Sequence, residues 1–143
     1  MSDLYVKVKV SPDGRYPEKS DKGDYFDLFA AGDYEYKAGD NIRIRLGVAM
    51  KLPDGYVAHL YPRSSTFSKT GLLMTNSVGI IDNSYSGDND EWLFSGYATR
   101  DGKVNHAQKI AQFCLVPIVP IEGFIGVSHL DDEDRGGFGS TGD

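Results

Sequence analysis

The 143-residue chain carries 40% hydrophobic and 25% charged residues and a formal net charge of −6, the profile of a single globular domain of ordinary polarity. That charge excludes non-specific attachment to a nucleic-acid backbone, which needs a basic face, so a phosphate ligand must be held locally by a few arginines, backbone amides and a divalent cation. No apolar run approaches the roughly 20 residues of a membrane span and the first residues lack a signal-peptide pattern, so the expectation is a cytoplasmic protein without membrane contact.

In chain order, Leu4, Val6, Val8 and Val10 alternate with polar residues at the period of a half-buried strand. After the turn Pro12-Asp13-Gly14, strands are predicted over Phe26–Ala30 and Asn41–Met50, the latter with Ile42, Ile44, Leu46, Val48 and Met50 on one face and Arg43 and Arg45 on the other. Tyr56–Tyr61 follows the turn Pro53-Asp54-Gly55. Ser64–Thr70 is the one predicted helix, with serines to cap it and Gly71 as its left-handed terminus. Further strands are predicted over Val78–Ile81, Glu91–Ala98, Lys109–Val116 and Phe124–Leu130, separated by Ser86-Gly87-Asp88 and Asp101-Gly102. Many short strands with glycine-rich turns, no repeat and no linker describe an all-β sandwich or barrel over residues 1–130. Residues 131–143 differ: an acidic run, then Arg135-Gly136-Gly137-Phe138-Gly139-Ser140-Thr141-Gly142. Such a segment is expected to stay mobile until a ligand or neighbour holds it, an unordered terminus being the plainer reading.

The single Cys114, in an apolar stretch, is expected to be a buried, inert thiol, and His59, His106 and His129 lack zinc-site spacing. Tyr61-Pro62-Arg63-Ser64-Ser65 puts a guanidinium and two hydroxyls at a strand-to-helix junction, where anions bind well, although a capped turn has the same letters. The run Asn76 to Asp88 leads an apolar strand into a polar corner at Asp82; a calcium loop is excluded because Leu93 stands where its glutamate belongs, and the plain alternative is a hairpin in which Asp82 bonds its own turn. A phosphate loop in the tail is excluded because Asp143 stands in the lysine position. Asp27 follows Gly23-Asp24-Tyr25-Phe26, and Gln112 interrupts the apolar strand Lys109-Ile110-Ala111-Gln112-Phe113, where a polar amide needs partners.

In this order the five segments resemble the five motifs of the trimeric dUTPase family, across Gly23 to Gly142. The resemblance implies a homotrimer of jelly-roll-like β-clip subunits, with three active sites each assembled from all three chains and closed by a mobile C-terminal arm. It further implies hydrolysis of dUTP to dUMP and pyrophosphate with Mg2+. By position, Asp82 matches the general base that activates water against the α-phosphorus, with Ser64 and Gln112 at the phosphates and Ser64 steadying the leaving group. Arg63 matches a further phosphate contact, Ser65 and Lys109 match substrate-binding positions, and Asp27 matches an aspartate that reaches the metal through water. Asn76, Gly79 and Ile81 match the hairpin that reads uracil, and Tyr85 the wall against a 2′-hydroxyl. From the arm, Arg135, Ser140 and Thr141 would grip the distal phosphates, Phe138 would stack on uracil, and Gly139 is a further substrate-binding position.

The sequence departs from the family pattern in three places. Asp24-Tyr25-Phe26 precede Asp27 where a small residue and glycine are usual, Ala107 and Gln108 precede Lys109 where glycine and an acidic residue are usual, and Arg135 stands two residues closer to Phe138. These variants resemble a branch found among Gram-positive bacteria and their phages, and the shortening leaves the register of Arg135 open. Two other roles compete. A dCTP deaminase shares the architecture but uses a glutamate in the region where this chain has Asp82 and Tyr85, and a phage-type scaffold can use its nucleotide-dependent arm to bind a regulatory protein partner.

Overall fold

The computed structural model describes residues 4–137. Its strands are β1 (Lys7–Val10), β2 (Glu18–Lys19), β3 (Phe26–Phe29), β4 (Tyr34–Tyr36), β5 (Asn41–Arg45), β6 (Val48–Lys51) and β7 (Tyr56–Pro62). After the short helix α1 (Thr66–Thr70) come β8 (Leu72–Met74), β9 (Gly79–Ile81), β10 (Leu93–Ala98), β11 (Gly102–Val104) and β12 (Lys109–Pro117). They assemble into a five-stranded sheet in the order β2-β3-β12-β7-β9, a three-stranded sheet β5-β10-β8, and the pairs β1-β6 and β11-β4. Every pairing is antiparallel, which lets one face of each sheet be buried and the other carry polar groups. Between the sheets Leu28, Ile44, Leu60, Trp92, Phe94 and Ile110 are fully buried, and Trp92 meets Phe113 of β12 edge-on at 5.0 Å. The all-β architecture with one short helix is the one expected.

Several local expectations change. Asn41–Met50 is two strands rather than one: Gly47, at φ 68°, turns the chain, so β5 pairs with β10 while β6 pairs with β1. Leu46 and Val48 are buried on either side of the turn, so the hydrophobic alternation runs through it unbroken. The helix begins at Thr66, and its capping is not by serine: Thr66 Oγ1 accepts the Arg63 amide at 2.8 Å and donates to the Ile110 carbonyl at 3.0 Å. Gly71 does end it in the left-handed region, at φ 72°. Cys114 is half-buried rather than buried. The strand expected over Phe124–Leu130 does not form: packed structure ends with β12, and the following segment runs exposed, Phe124 to 93%. Its apolar residues would need a surface beyond one chain to cover them.

Candidate active site

The five-stranded sheet builds the first half of the site. β12 lies between β3 and β7, and Gln112 stands opposite both Asp27 and Tyr61, so these three side chains share a face. Lys109, three residues before Gln112, would point to the other face of a regular strand. The register between β12 and β3 shifts between Lys109 and Ala111, and this bulge inserts the extra residue that turns Lys109 to the Asp27 side. Asp27 is buried (3% exposed) and receives Arg63 Nε at 3.0 Å on Oδ1, while Lys109 Nζ stands 3.6 Å from Oδ2 and 3.8 Å from Glu18 Oε1. The two cations offset the cost of desolvating this carboxylate, and removing either would leave a buried charge poorly paired. Arg63 Nη1 also donates to Ser65 Oγ at 3.4 Å, and Gln112 Nε2 donates to the Pro62 carbonyl at 3.2 Å. Tyr25, Tyr61, Pro62, Arg63, Ser64 and Gln112 line an open cleft of ≈ 460 Å³. Burial pushes the Tyr61 phenol up, with Cys114 and Tyr25 adding to the effect, so this side chain stays a neutral donor beside the Arg63 guanidinium.

The second half lies at the end of β9. Gly79 faces Leu60 of β7, and a Cβ there would stand 2.9 Å from the Leu60 Cβ, so only glycine lets the two strands approach this closely. Asn76 is exposed in the turn before β9, where Ser77 takes φ 59°. Asp82 follows Ile81 and is exposed; its Oδ2 accepts the Ser84 hydroxyl and, at 3.0 Å, the Ser84 amide. The hydroxyl first and the amide second hold the Asp82 carboxyl below the usual 3.8, against a slight opposing effect of burial. The plain expectation for Asp82, a turn-bonding aspartate, therefore holds geometrically beside the chemical one. Asn83 Nδ2 donates to the carbonyls of Pro53 and Tyr56, both at 2.9 Å, which anchors the corner. Ile80, Ile81, Asp82, Ser84, Tyr85 and Leu93 border a cavity of ≈ 370 Å³ closed by Glu91 and Trp92.

The two halves do not meet within one chain. β9 pairs with β7 so that Ile81 faces Ala58, which sets Asp82 level with Val57 at one end of β7, while Arg63 follows its other end. Six residues of extended chain separate those levels by roughly 20 Å. Arg135 is exposed on the segment after β12, and Phe138, Gly139, Ser140 and Thr141 lie outside the described residues. Sequence reasoning missed Glu18, Thr66, Tyr25 and Tyr61 as parts of the first half and Glu91 as part of the second. Tyr25 and Tyr61 lie inside quoted segments without a role there, and Glu18, Thr66 and Glu91 lie outside the five segments; each is recognisable only from register or from a hydrogen bond.

The dUTPase family model matches residues 15–142. A prophage-derived deoxyuridine 5′-triphosphate nucleotidohydrolase of Bacillus subtilis is 48% identical over 140 residues, covering 97% of this chain and 99% of its own. The dUTPase of Staphylococcus bacteriophage 80alpha, solved with dUpNHpp, superposes with a TM-score of 0.81 at 25% identity, over 96% of this chain and 98% of that one. The dUTPase of phage phi11 of S. aureus, described for its structural Mg(II) ion, shares the fold with a TM-score of 0.76 at 24% identity, over 90% of this chain and 99% of that one. The prophage origin of the Bacillus subtilis relative fits the branch that the sequence resembles. With the family model matched over residues 15–142 and a relative 48% identical over 97% of its length, the chain belongs to the dUTPase family.

Proposed function

We propose that the protein is a dUTP diphosphatase, hydrolysing dUTP to dUMP and pyrophosphate. The observation that carries the reading is the pair of half-sites at opposite ends of β7, one rich in phosphate-binding groups and one holding the exposed carboxylate Asp82. In one chain they are too far apart to act on one triphosphate, so a site needs Asp82 from one chain and Arg63, Ser64 and Gln112 from another. A homotrimer meets that need by cyclic symmetry. It also offers a neighbour to cover the exposed apolar residues Ile118 to Leu130, which then belong with the 1–130 body, leaving 131–143 as the arm that carries Arg135, Phe138, Gly139, Ser140 and Thr141 to a site.

Chemically, Asp82 orients a water and takes its proton as the oxygen attacks the α-phosphorus. The bond from that phosphorus to the bridging oxygen breaks, and pyrophosphate leaves with the electron pair. A carboxylate held below its ordinary pKa is a weak base, so alignment supplies much of the rate. Arg63, Ser64, Ser65, Lys109 and Gln112 hold the phosphates, Ser64 beside the leaving group. Asn76, Gly79 and Ile81 read uracil, and Tyr85 faces the deoxyribose.

Mg2+ is the implied cofactor. Asp27 offers hard oxygen donors beside the phosphate cleft, the ligand chemistry this cation prefers, and would reach it through water while the triphosphate supplies the remaining oxygens. Bound there, the cation supplies neutralisation of phosphate charge. No helix of the described residues is long and apolar enough to cross a membrane, and a cytoplasmic setting is the one in which dUTP is met.

The test is to incubate the protein with Mg2+ and, separately, dUTP, dCTP, dTTP and UTP, and to identify the products. The expected result is dUMP and pyrophosphate from dUTP alone, lost on chelation. A uracil nucleotide formed from dCTP would establish a deaminase instead.

A further inference from the structure

We propose that Glu91 is a positioning residue for sugar selectivity. Its carboxylate, clasped between Arg45 and the Gly47 amide, fixes the main-chain carbonyl that accepts the Tyr85 hydroxyl, and so holds the Tyr85 ring where a 2′-hydroxyl would otherwise fit. The proposal rests on the dUTP-hydrolysing reading above and adds to it a residue outside the five motifs.

Tyr85 sits in the irregular corner between β9 and β10, 38% exposed, with no strand pairing to restrain it. A tyrosine ring has two soft side-chain torsions, so on such a corner it swings unless its hydroxyl is tied. That tie is the 2.8 Å bond from Tyr85 Oη to the Glu91 carbonyl. Burial first, then the charges of Asp90 and Glu91, push the phenol above its ordinary 10.0, so it remains a donor throughout the neutral range.

A tie restrains only if its far end is fixed, and Glu91 is fixed three times over. Arg45 Nε donates to Glu91 Oε1 at 2.9 Å, the Gly47 amide donates to Oε2 at 2.9 Å, and the next residue is locked by backbone bonds, Trp92 to Val48 at 2.9 Å and Leu46 to Trp92 at 3.0 Å. Arg45 is itself held by both oxygens of Asp13, at 2.7 and 3.1 Å. The Gly47 turn that splits β5 from β6 thus presents an amide to Glu91, and the chain of bonds runs from the Asp13 turn to the wall of the Asp82 cavity.

The experiment measures kcat/KM for dUTP and for UTP in the wild type, Tyr85→Phe, Glu91→Ala, Glu91→Gln and the double variant Tyr85→Phe with Glu91→Ala. The ratio of UTP to dUTP is expected to rise about tenfold, the scale of one hydrogen bond, in Tyr85→Phe and in Glu91→Ala. The double variant should show no more than either alone, since both remove one restraint, and Glu91→Gln, whose one amide oxygen can accept from Arg45 or from the Gly47 amide but not from both, should fall between the wild type and Glu91→Ala. Unchanged selectivity in Glu91→Ala beside relaxed selectivity in Tyr85→Phe would overturn the role of Glu91 and leave the activity intact. Additive effects in the double variant would do the same. Should Glu91→Ala not fold, wild-type selectivity in Tyr85→Phe overturns the proposal, because that change only removes a hydroxyl from an exposed ring. A wild type that cleaves UTP as readily as dUTP, or neither, defeats the activity reading itself and this proposal with it.

Discussion

Lys109 and Gln112, three residues apart on β12, share a face because the strand bulges between Lys109 and Ala111. Without that extra residue Lys109 would leave Asp27 with Arg63 alone, and the carboxylate would lose one of its two cations. A one-residue irregularity in the strand pairing therefore decides the electrostatics of half the site.

The carboxylate at its centre can be tested for stability as well as for activity. Asp27→Asn keeps the shape but removes the charge that Arg63 and Lys109 share. The expected loss is about 1 to 3 kcal/mol, the cost of leaving a largely buried donor poorly paired. Urea denaturation should show a lower midpoint at unchanged slope. An unchanged midpoint would mean that Asp27 contributes nothing to holding the cleft.

A second substitution should stabilise. Ala107, where the family usually has glycine, sits at φ 68°, a conformation that costs a residue with a Cβ roughly 1 to 2 kcal/mol, and its amide is committed to the Ala30 carbonyl at 2.8 Å. Ala107→Gly relieves that strain and gives back part of the gain in unfolded-chain entropy, so a net gain of about 0.5 to 1 kcal/mol is expected. A thermal melt shifted downward would show that Ala107 is not strained.

Much of this architecture is legible in the letters, and the exceptions have physical causes. Alternation reveals the faces of β1, β5 and β12, and Gly71 marks the end of α1. The bulge is invisible because Ile110 and Ala111 are both apolar and both buried, so the pattern does not record which one is extra. Strands of two or three residues, such as β2 and β11, are too short to show a period. Phe124 to Leu130 has a genuine strand pattern whose partner is not found among the described residues. The motif letters were all readable, but their separation into two ends of β7 depends on the register of β9, which no single segment encodes.

The acid limb of the activity profile should report Ser84. Asp82 acts as a base only when ionised, so turnover falls as the pH drops through its lowered pKa, and the Ser84 hydroxyl is the largest cause of the lowering. Ser84→Ala removes that bond, raises the carboxyl toward its ordinary value and moves the acid limb to higher pH. The profile of kcat/KM against pH measures it. Asp82→Asn, by contrast, should bind dUpNHpp normally in a calorimeter while losing about 10²- to 10⁴-fold in turnover at every pH. An acid limb that stays in place in Ser84→Ala, with Asp82→Asn inactive, would assign that limb to another group.

The roughly 20 Å between Asp82 and Arg63 levels along β7 makes the division of the site between chains testable without a further structure. Asp82→Asn and Arg63→Ala should each abolish turnover as pure proteins. Unfolded together and refolded, the two chains assemble at random, and some sites receive Asp82 from an Arg63→Ala chain and Arg63 from an Asp82→Asn chain. In a cyclic assembly of equal mixtures about a quarter of the sites are intact, so roughly that share of wild-type activity should return. A site contained in one chain cannot be rebuilt in this way, because every chain in the mixture lacks one of its groups. Activity that stays at the level of the pure variants, in mixtures shown by mass analysis to be mixed oligomers, would place both groups in a single subunit and require β9 to leave β7 during catalysis.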